Sequence, residues 1–280
     1  MTKRAKILIG ILLFLLIGLV LYYLLILRLE RVTIYDQGTY DPETGELYAD
    51  NSCNVIGINL HGEIFTYVPL ENEEGDYASG ENIISELQEI EESPEYESVK
   101  AVLIEIDSYG GSPVASEELS NMITDYNLPV IAMIREGGTS GAYWVASASD
   151  RIFASKMSDI GSIGVTMSYL DDSKLNEKEG YTWNSLSTGK FKDSGNEQKP
   201  LTKEERALFE RDLNIIHEEF VKAVSVNRNL PIEKVRELAD GSSMLGEMAL
   251  EQGLIDEIGS YKEVEEYLKT KYDFEPEICW

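Results

Sequence analysis

The chain has 280 residues, with 51 acidic and 24 basic side chains and a formal net charge of −27. Hydrophobic residues at 43% and charged residues at 27% are proportions of a globular protein, which excludes wholesale disorder. Residues 1–29 contain four basic and no acidic side chains, so residues 30–280 contain 20 basic and 51 acidic ones. Because a body this acidic repels phosphate backbones, we expect no nucleic acid partner.

Residues 7–29 are predicted to form one transmembrane anchor. The 21 residues between Lys6 and Arg28 are uncharged and rich in Leu and Ile, long enough as a helix for the hydrocarbon core of a bilayer. No small-residue cleavage site follows them, which favours an uncleaved anchor over a signal peptide. The basic residues that precede the span predict a cytoplasmic segment 1–6, a body outside the cytoplasm, and a single-pass protein of the cell membrane.

The remainder is interpreted as a polar stalk or lead-in at 30–54, followed by one domain at 55–280. Predicted strands alternate with predicted helices, which indicates an α/β fold with a largely parallel sheet and flanking helices. The predicted strands cover residues 55–60, 101–106, 130–134, 151–154 and 163–167. The predicted helices lie around 83–90, 113–126, 142–149, 203–228 and 248–252, and the longest of them begins with capping-box spacing between Thr202 and Glu205.

Several kinds of chemistry find no support in the sequence. His61 and His217 are the only histidines, and the pattern around each favours a structural or solvent-facing role. No cluster has metal-ligand spacing and no glycine pattern is typical of a nucleotide site, so we expect no metal and no cofactor. Cys53 and Cys279 are too few for a disulfide framework, and whether they pair depends on the compartment.

Two glycine loops, each after a predicted strand, are the candidate site. Ser140 lies where the loop 137–141 meets a helix start, a position that exposes a side chain and directs backbone N–H groups outward. Acyl transfer needs such a nucleophile and such donors, although ordinary tight turns explain the glycines equally well. Without histidine, a neutral lysine is the alternative base. Lys190 and Lys192 both qualify, and their spacing does not separate them.

The motifs resemble, in chain order, those of the signal peptide peptidase A family, the S49 group of membrane-anchored Ser–Lys peptidases. The segments that carry the resemblance are 139–146 (TSGAYWVA), 150–154 (DRIFA), 161–165 (GSIGV), 189–193 (GKFKD) and 249–259 (ALEQGLIDEIG). The resemblance implies a ClpP/crotonase-like fold for residues 55–280. It also implies a homo-oligomeric ring that cleaves peptides and proteins at the membrane, such as remnant signal peptides.

The resemblance also assigns roles to individual residues. Ser140 is the implied nucleophile, and Lys192, which precedes an aspartate as in the family, is the implied general base in place of Lys190. Ser162 matches the family serine that hydrogen-bonds and orients this lysine. The backbone N–H groups of two glycines, Gly111 and Gly141, are the implied oxyanion hole.

Two positions depart from the family pattern, and two other functions compete with peptidase activity. Ala142 stands where the family commonly has glycine, and Tyr109 stands where it commonly has proline, which concerns substrate preference more than the catalytic groups. A crotonase-like acyl-CoA enzyme shares the fold, but the acidic body and the predicted anchor disfavour an anionic thioester. A catalytically silent, membrane-tethered scaffold or binding protein is the other alternative.

Overall fold

The structure is a computed structural model that describes residues 53–67 and 76–280. The predicted cytoplasmic segment 1–6, the predicted anchor 7–29 and nearly all of the predicted lead-in lie outside the described residues. Within the described ranges, no helix has both the length and the apolar composition that crossing a bilayer requires.

The described part of the chain alternates strands and helices. Its strands are β1 (Val55–His61), β2 (Glu63–Phe65), β3 (Tyr77–Ser79), β4 (Ala101–Ser108), β5 (Val130–Thr139), β6 (Arg151–Ala154), β7 (Asp159–Gly161), β8 (Ser243–Leu245), β9 (Glu257–Ile258) and β10 (Ile278–Cys279). Its α-helices are α1 (Gly80–Glu92), α2 (Pro113–Thr124), α3 (Gly141–Ser147), α4 (Ser173–Glu179), α5 (Lys203–Asn227), α6 (Ile232–Leu238), α7 (Gly246–Gln252) and α8 (Tyr261–Tyr272), and a short 3₁₀ helix covers Pro94–Tyr96.

The main sheet has the strand order β10-β1-β4-β5-β6-β9, and every neighbouring pair in this order is parallel. Strand β7 pairs in parallel with the last residues of β5 and antiparallel with β8. Central strands of a parallel sheet are covered on both faces, which explains the nearly continuous apolar sequence of β4. The predicted α/β fold with a largely parallel sheet is confirmed.

The two faces of the sheet pack against different helices. Side chains of alternating positions, such as Leu103 and Ile104, point to opposite faces. Leu103 belongs to the cluster that contains Val264 and Leu268 of α8. Ile104 belongs to the larger cluster, which takes in buried residues of α1, α2, α3 and α5. The loops that follow the central strands therefore lie at one edge of a well-packed layer.

Helix α5 has the start that the sequence predicts. The Thr202 hydroxyl accepts from the Glu205 N–H at 3.2 Å, and the Glu205 carboxylate accepts from the Thr202 N–H at 2.9 Å, which is a capping box. Beyond its C-terminal end, the Arg228 guanidinium lies 2.7 Å from Asp256, whose other oxygen accepts from the Ile152 N–H. This pair ties α5 to β6 and to the turn near the end of the domain.

The strand predicted at 163–167 is wrong. Ile163 and Val165 give these residues the alternation of a strand, but they lie in no strand of the structure. The ladder ends earlier, because Thr139 is the last residue of β5 and its partner is Gly161 of β7. The residues that follow leave the sheet and run beside the site described below.

The extent of the second glycine loop also differs from the prediction. Gly137, Gly138 and Thr139 pair with β7 and prolong β5, so the turn itself is confined to Ser140. Strand β5 therefore delivers Ser140 directly from the sheet.

A disulfide between Cys53 and Cys279 resolves the pairing that the sequence left open. Their Cα atoms are 5.9 Å apart, and the bond joins the residues before β1 to strand β10. The Asn54 side chain reinforces this junction by accepting from the Glu277 N–H at 2.9 Å and donating to the Glu275 carbonyl at 2.9 Å. Both ends of the described domain are therefore tied together at the same edge of the sheet.

Candidate active site

Ser140 occupies a constrained turn between β5 and α3. Its backbone has φ 52° and ψ −128°, a conformation that costs a non-glycine residue free energy. The Ser140 N–H donates to the Gly161 carbonyl at 2.7 Å, which fixes the turn against β7. Ser140 lies at a sharp strand-to-helix junction. Because the residue is only half-buried there, its side chain lines a cavity.

The loop after β4 brings the Gly111 N–H toward Ser140 and the neighbouring Gly141 N–H. Gly110 has φ 97°, and a β-carbon placed on it would lie 2.7 Å from the Gly141 nitrogen and 2.9 Å from Ser140 Cβ. A β-carbon on Gly141 would lie 3.3 Å from the Gly111 nitrogen. Neither the Gly111 nor the Gly141 N–H donates to a backbone carbonyl among the described residues. Both donors therefore remain free next to the Ser140 hydroxyl.

Buried hydrogen bonds hold the Gly110–Gly111 loop in place. The Ser108 hydroxyl is inaccessible to solvent, donates to the Gly62 carbonyl at 2.6 Å and accepts from the Gly110 N–H at 3.1 Å. Ile64 donates to the Gly110 carbonyl at 3.0 Å and accepts from the Ser112 N–H at 2.7 Å. The loop is thus attached to the turn after β1 and to β2, which leaves the Gly111 N–H as the glycine donor of this loop that these bonds do not use.

An apolar cavity of about 130 Å³ opens beside Ser140. Gly111 and Gly141 line it together with Ser140. Its apolar wall comprises Trp144 of α3, Val165, and Ile216 and Phe220 of α5. The rings of Trp144 and Phe220 stack with their centroids 4.8 Å apart, so α3 and α5 close the wall jointly.

The sequence did not reveal the part that α5 plays here. Its apolar positions, which include Ile216 and Phe220, were visible as a stripe that is typical of core packing. Nothing local in the sequence indicates that the stripe continues into a cavity next to Ser140. The stacked pair with Trp144, which brings the two together, joins residues 76 positions apart in the chain.

Ser162 lies one residue beyond Gly161, the hydrogen-bond partner of Ser140. It also has a positive φ, 49°, and its N–H donates to the Ser242 carbonyl. Its hydroxyl donates to the Gly241 carbonyl at 3.0 Å. The fold therefore places Ser162 next to the residue that binds the Ser140 N–H, with its side chain half-buried and its hydroxyl bound to the loop before β8.

The two candidate lysines lie elsewhere. Lys192 is exposed, on a turn closed by its own N–H donating to the Gly189 carbonyl. Lys190 is exposed and pairs with Glu204 at 3.3 Å. The residues that line the Ser140 cavity include no lysine and no histidine. The described residues therefore bring together Ser140, the two glycine N–H groups and Ser162, but they place neither candidate lysine in the lining of the Ser140 cavity.

Asp193, which follows Lys192, stabilises the turn that carries it. Its carboxylate accepts from the Asn196 side chain at 3.0 Å. Hydrogen bonds, first from Ser185 and then from Asn196, hold the pKa of Asp193 below its ordinary value. The turn that presents Lys192 is thus locally ordered although it is exposed.

Both histidines have partners other than Ser140. The His61 ring lies 3.0 Å from the Glu105 carboxylate, which also binds Arg135 at 2.9 Å and the Tyr261 hydroxyl. The His217 ring lies 3.1 Å from the Ala239 carbonyl. Among the described residues, no group of three or more His, Cys, Asp or Glu side chains is arranged to hold a metal ion.

The two departures from the family pattern have clear local environments. The Tyr109 ring lies over Gly137, where an added β-carbon would be 3.0 Å from the ring, and the side chain is 63% exposed. Ala142 is buried in the main core. Neither residue lines the cavity or supplies one of its polar groups.

Comparison with known proteins identifies a family of peptidases that this chain resembles. The family model of peptidase family S49 matches residues 123–275, a range that contains Ser140, Ser162 and Lys192. A putative protease of Methanocaldococcus jannaschii is 37% identical over 166 residues, which cover 59% of this chain and 53% of that protein. A putative signal peptide peptidase SppA of Enterococcus faecium is 30% identical over 240 residues, which cover 85% of this chain and 69% of that protein.

A third relative, the chloroplastic serine protease SPPA of Arabidopsis thaliana, is 34% identical over 188 residues, covering 66% of this chain and 27% of that protein. The alignments thus span from about a quarter to about two thirds of these relatives. The matched region includes the strained serine turn and the cavity wall on α5. The chain therefore belongs to peptidase family S49.

Proposed function

We propose that this protein is a membrane-anchored endopeptidase that uses Ser140 as its nucleophile and Lys192 as its general base. Its proposed substrates are membrane-associated peptides such as remnant signal peptides. The observation that carries the proposal is the meeting of the Ser140 turn with the free N–H groups of Gly111 and Gly141 at one cavity. A serine nucleophile beside two oxyanion donors is the arrangement that acyl transfer requires.

The reaction follows from these groups. Neutral Lys192 accepts the Ser140 proton as the oxygen attacks the peptide carbonyl, and the Gly111 and Gly141 N–H groups bind the resulting oxyanion. Collapse of the tetrahedral intermediate breaks the C–N bond, and the lysine ammonium protonates the departing amine. Water activated by Lys192 then releases the acyl group from Ser140. Each oxyanion donor contributes about 3–4 kcal/mol in comparable enzymes.

The cavity beside Ser140 is suited to the side chain that precedes the scissile bond. Its wall is apolar, and the stacked rings of Trp144 and Phe220 form a rigid surface. We therefore expect an apolar side chain at this position, because a charged one would lose its hydration without a partner. This preference fits the hydrophobic segments of membrane-associated peptides.

The missing base is proposed to come from a second copy of this chain. Residues 166–200, here termed the arm, contain no buried residue. Several large apolar side chains of the arm are exposed: Met167, Tyr169, Leu170, Leu175, Tyr181, Trp183, Leu186 and Phe191. So much exposed apolar surface is typical of a protein–protein interface. Docking of the arm on a neighbouring copy would bury Lys192 next to that copy's Ser140, and burial favours the neutral lysine that the reaction needs.

The proposed location is the outer side of the cell membrane, with residues 7–29 in the bilayer. The Cys53–Cys279 disulfide supports this, because disulfides persist in oxidising compartments. One relative is itself named a putative signal peptide peptidase, which supports the proposed substrate class.

The test uses the full-length chain in membrane vesicles, a peptide library with hydrophobic segments, and a serine-directed acylating probe. Ser140→Ala and Lys192→Ala are each expected to abolish turnover, and Lys190→Ala serves as the matched lysine control. Co-expression of the two inactive variants is expected to restore activity, because about a quarter of randomly mixed interfaces combine one intact Ser140 with one intact Lys192.

Each outcome has a definite meaning. Absence of both cleavage and probe labelling in the folded wild type would overturn the peptidase proposal. Inactive single variants without restoration on mixing would show that the dyad forms within one chain. Loss of turnover in Lys190→Ala with activity retained in Lys192→Ala would reverse the assignment of the base.

A further inference from the structure

A second cavity lies next to the one at Ser140. Its volume is about 340 Å³, and Gly164 and Val165 line both cavities. The other walls come from α5 and from residues 239–241, the loop whose Gly241 carbonyl accepts from Ser162. The two cavities are therefore consecutive parts of one cleft along residues 164 and 165.

The offset of the two cavities matches the repeat of an extended peptide. On α5, the Ser140 cavity contacts Ile216 and Phe220, whereas the second cavity contacts Glu210, Leu213, Asn214 and His217. The centres of these two sets lie between four and five residues apart, which is about 6.8 Å along the helix axis. Side chains two residues apart in an extended chain lie on the same face, roughly 6.6 Å apart. Side chains at alternate positions of one bound peptide can therefore enter both cavities.

The second cavity differs from the first in charge. It is lined by the carboxylates of Glu210 and Asp240, whereas the cavity at Ser140 has no ionisable side chain in its lining. Hydrogen bonds from Ser242, led by that of its hydroxyl, hold the pKa of Asp240 below its ordinary value, so this carboxylate is ionised at neutral pH. The His217 ring is engaged by the Ala239 carbonyl at 3.1 Å.

A basic side chain can compete for Glu210. The cation near it is Arg206, whose guanidinium lies 3.8 Å away in a pair that is more than half exposed on both sides. Exposed pairs of this kind contribute little free energy, so a cation that binds Glu210 and Asp240 together displaces Arg206 at small cost. Leu213 and Ala239 supply apolar surface for the aliphatic stem of a lysine or arginine.

We propose that this second cavity is a subsite for a lysine or arginine side chain located two residues from the substrate side chain that fills the Ser140 cavity. The inference rests on the proposed function, since it names a substrate preference of the same cleft. It predicts that the enzyme selects peptides in which an apolar and a basic residue occur at this spacing.

The test measures both binding and cleavage with the full-length chain in vesicles. Fluorescent peptides carry one apolar residue at the position that fills the Ser140 cavity, and Lys, Ala or Glu is placed in turn at each nearby position. Binding is measured with the Ser140→Ala variant, which keeps the cleft but prevents turnover, and cleavage with the active enzyme. Glu210→Lys is compared with Glu219→Lys, a charge-matched control on the same helix whose residue pairs with Lys222 outside the cavity.

The expected result is an approximately tenfold preference for Lys over Glu in Kd and in kcat/KM, confined to the position two residues from the apolar one. This preference should disappear or invert in Glu210→Lys, persist in Glu219→Lys and weaken at high ionic strength. A ratio below about twofold, or one that Glu210→Lys leaves unchanged, would overturn the inference. Selective binding without cleavage would overturn the proposed function and retain the subsite, whereas cleavage without selectivity would do the reverse.

Discussion

The edge of the sheet that holds Ser140 and the arm that holds Lys192 are built in opposite ways. At the sheet edge, Ser108 and Gly141 are buried, and backbone hydrogen bonds determine the path of every turn. In the arm, helix α4 has no buried residue and Leu186 is fully exposed. Hydrogen bonds and packing within the domain hold the sheet edge in place. The arm, in contrast, exposes apolar side chains that no other described residue buries.

This contrast suggests how the enzyme would control its activity. The strained Ser140 turn and the Gly111 and Gly141 N–H groups are held in place by hydrogen bonds and packing within a single chain. The proposed base joins them only through assembly, and an isolated chain would therefore have a formed oxyanion hole and an inactive nucleophile. The following predictions test each side of this comparison, beginning with the largest effect.

Gly141→Ala is expected to lower kcat by roughly 10²–10³-fold. The new β-carbon would lie 2.4 Å from the Ser116 hydroxyl, which is buried and donates to the Ser112 carbonyl, so we expect the Gly141 N–H to be displaced from the proposed oxyanion position. Steady-state kinetics together with thermal unfolding will separate this effect from misfolding. Adding Ser116→Gly removes the clash and should recover most of the activity, and a double variant as inactive as the single one would contradict the steric explanation.

Cys53→Ser is expected to lower the free energy of unfolding by about 2–5 kcal/mol, because the disulfide closes a loop across 226 positions of the chain. The bond precedes β1 whereas the active-site turns follow the strands, so kcat at 25 °C should change less than twofold. Denaturant unfolding of full-length protein in detergent measures the first quantity. Cys279→Ser and reduction of the wild type should give the same shift, and three different shifts would show that the effect does not come from the disulfide.

Ser108→Ala is expected to lower kcat about tenfold and to cost about 1–3 kcal/mol of stability. The reason is that the Gly110 N–H and the Gly62 carbonyl both lose their buried partner. Kinetics and thermal unfolding are again the measurements. Ser120→Ala, which alters another buried serine on α2, is the control. An equal loss of kcat in both variants would mean that the effect arises from general packing and not from the oxyanion loop.

The smallest expected effect comes from Glu205→Gln at the junction between the arm and α5. The hydrogen bond from Lys199, aided by the Thr202 N–H, lowers the pKa of Glu205 from 4.5 to about 2. Because the folded pKa is depressed, the ionised carboxylate stabilises the fold above pH 4.5, and this contribution is lost as the pH falls toward 2. Thermal unfolding between pH 7 and pH 3 should show a smaller acid loss in the variant than in the wild type. Glu204→Gln, an exposed neighbour, should behave like the wild type.

The sequence predicted strands β1, β4, β5 and β6 and helices α1, α2, α3 and α5, because burial and local signals agree there, but it did not predict the short strands β2, β3, β7 and β8 or helix α8. The apolar run of β4 reports a strand covered on both faces, and Thr202 with Glu205 marks the start of α5. It failed at 163–167, where the β-branched residues have strand propensity but β5 has already ended and offers no further partner. Strand formation depends on a neighbour, which a local pattern does not report.

The same distinction applies to the site. The glycine loops indicated Ser140 as a candidate, and the family resemblance added Gly111 and Gly141; the structure brings these three residues to one cavity because each lies at the end of a neighbouring strand. The wall on α5 and the pocket with Glu210 depend on how a distant helix packs, and no local signal reports that. The position of Lys192 relative to Ser140 depends, in our proposal, on a second chain, and therefore lies beyond what one sequence or one protomer specifies.

The junction at Cys53 and Cys279 has a consequence for engineering. Because the Cα atoms of these residues are only 5.9 Å apart, a linker of one or two residues could join the two ends of the domain without distorting β1 or β10. New ends could then be opened near Leu186, which is fully exposed. Such a circular permutant would leave every strand of the sheet intact. Lys192, the proposed base, would then be joined to the domain only through the residues that lead to α5.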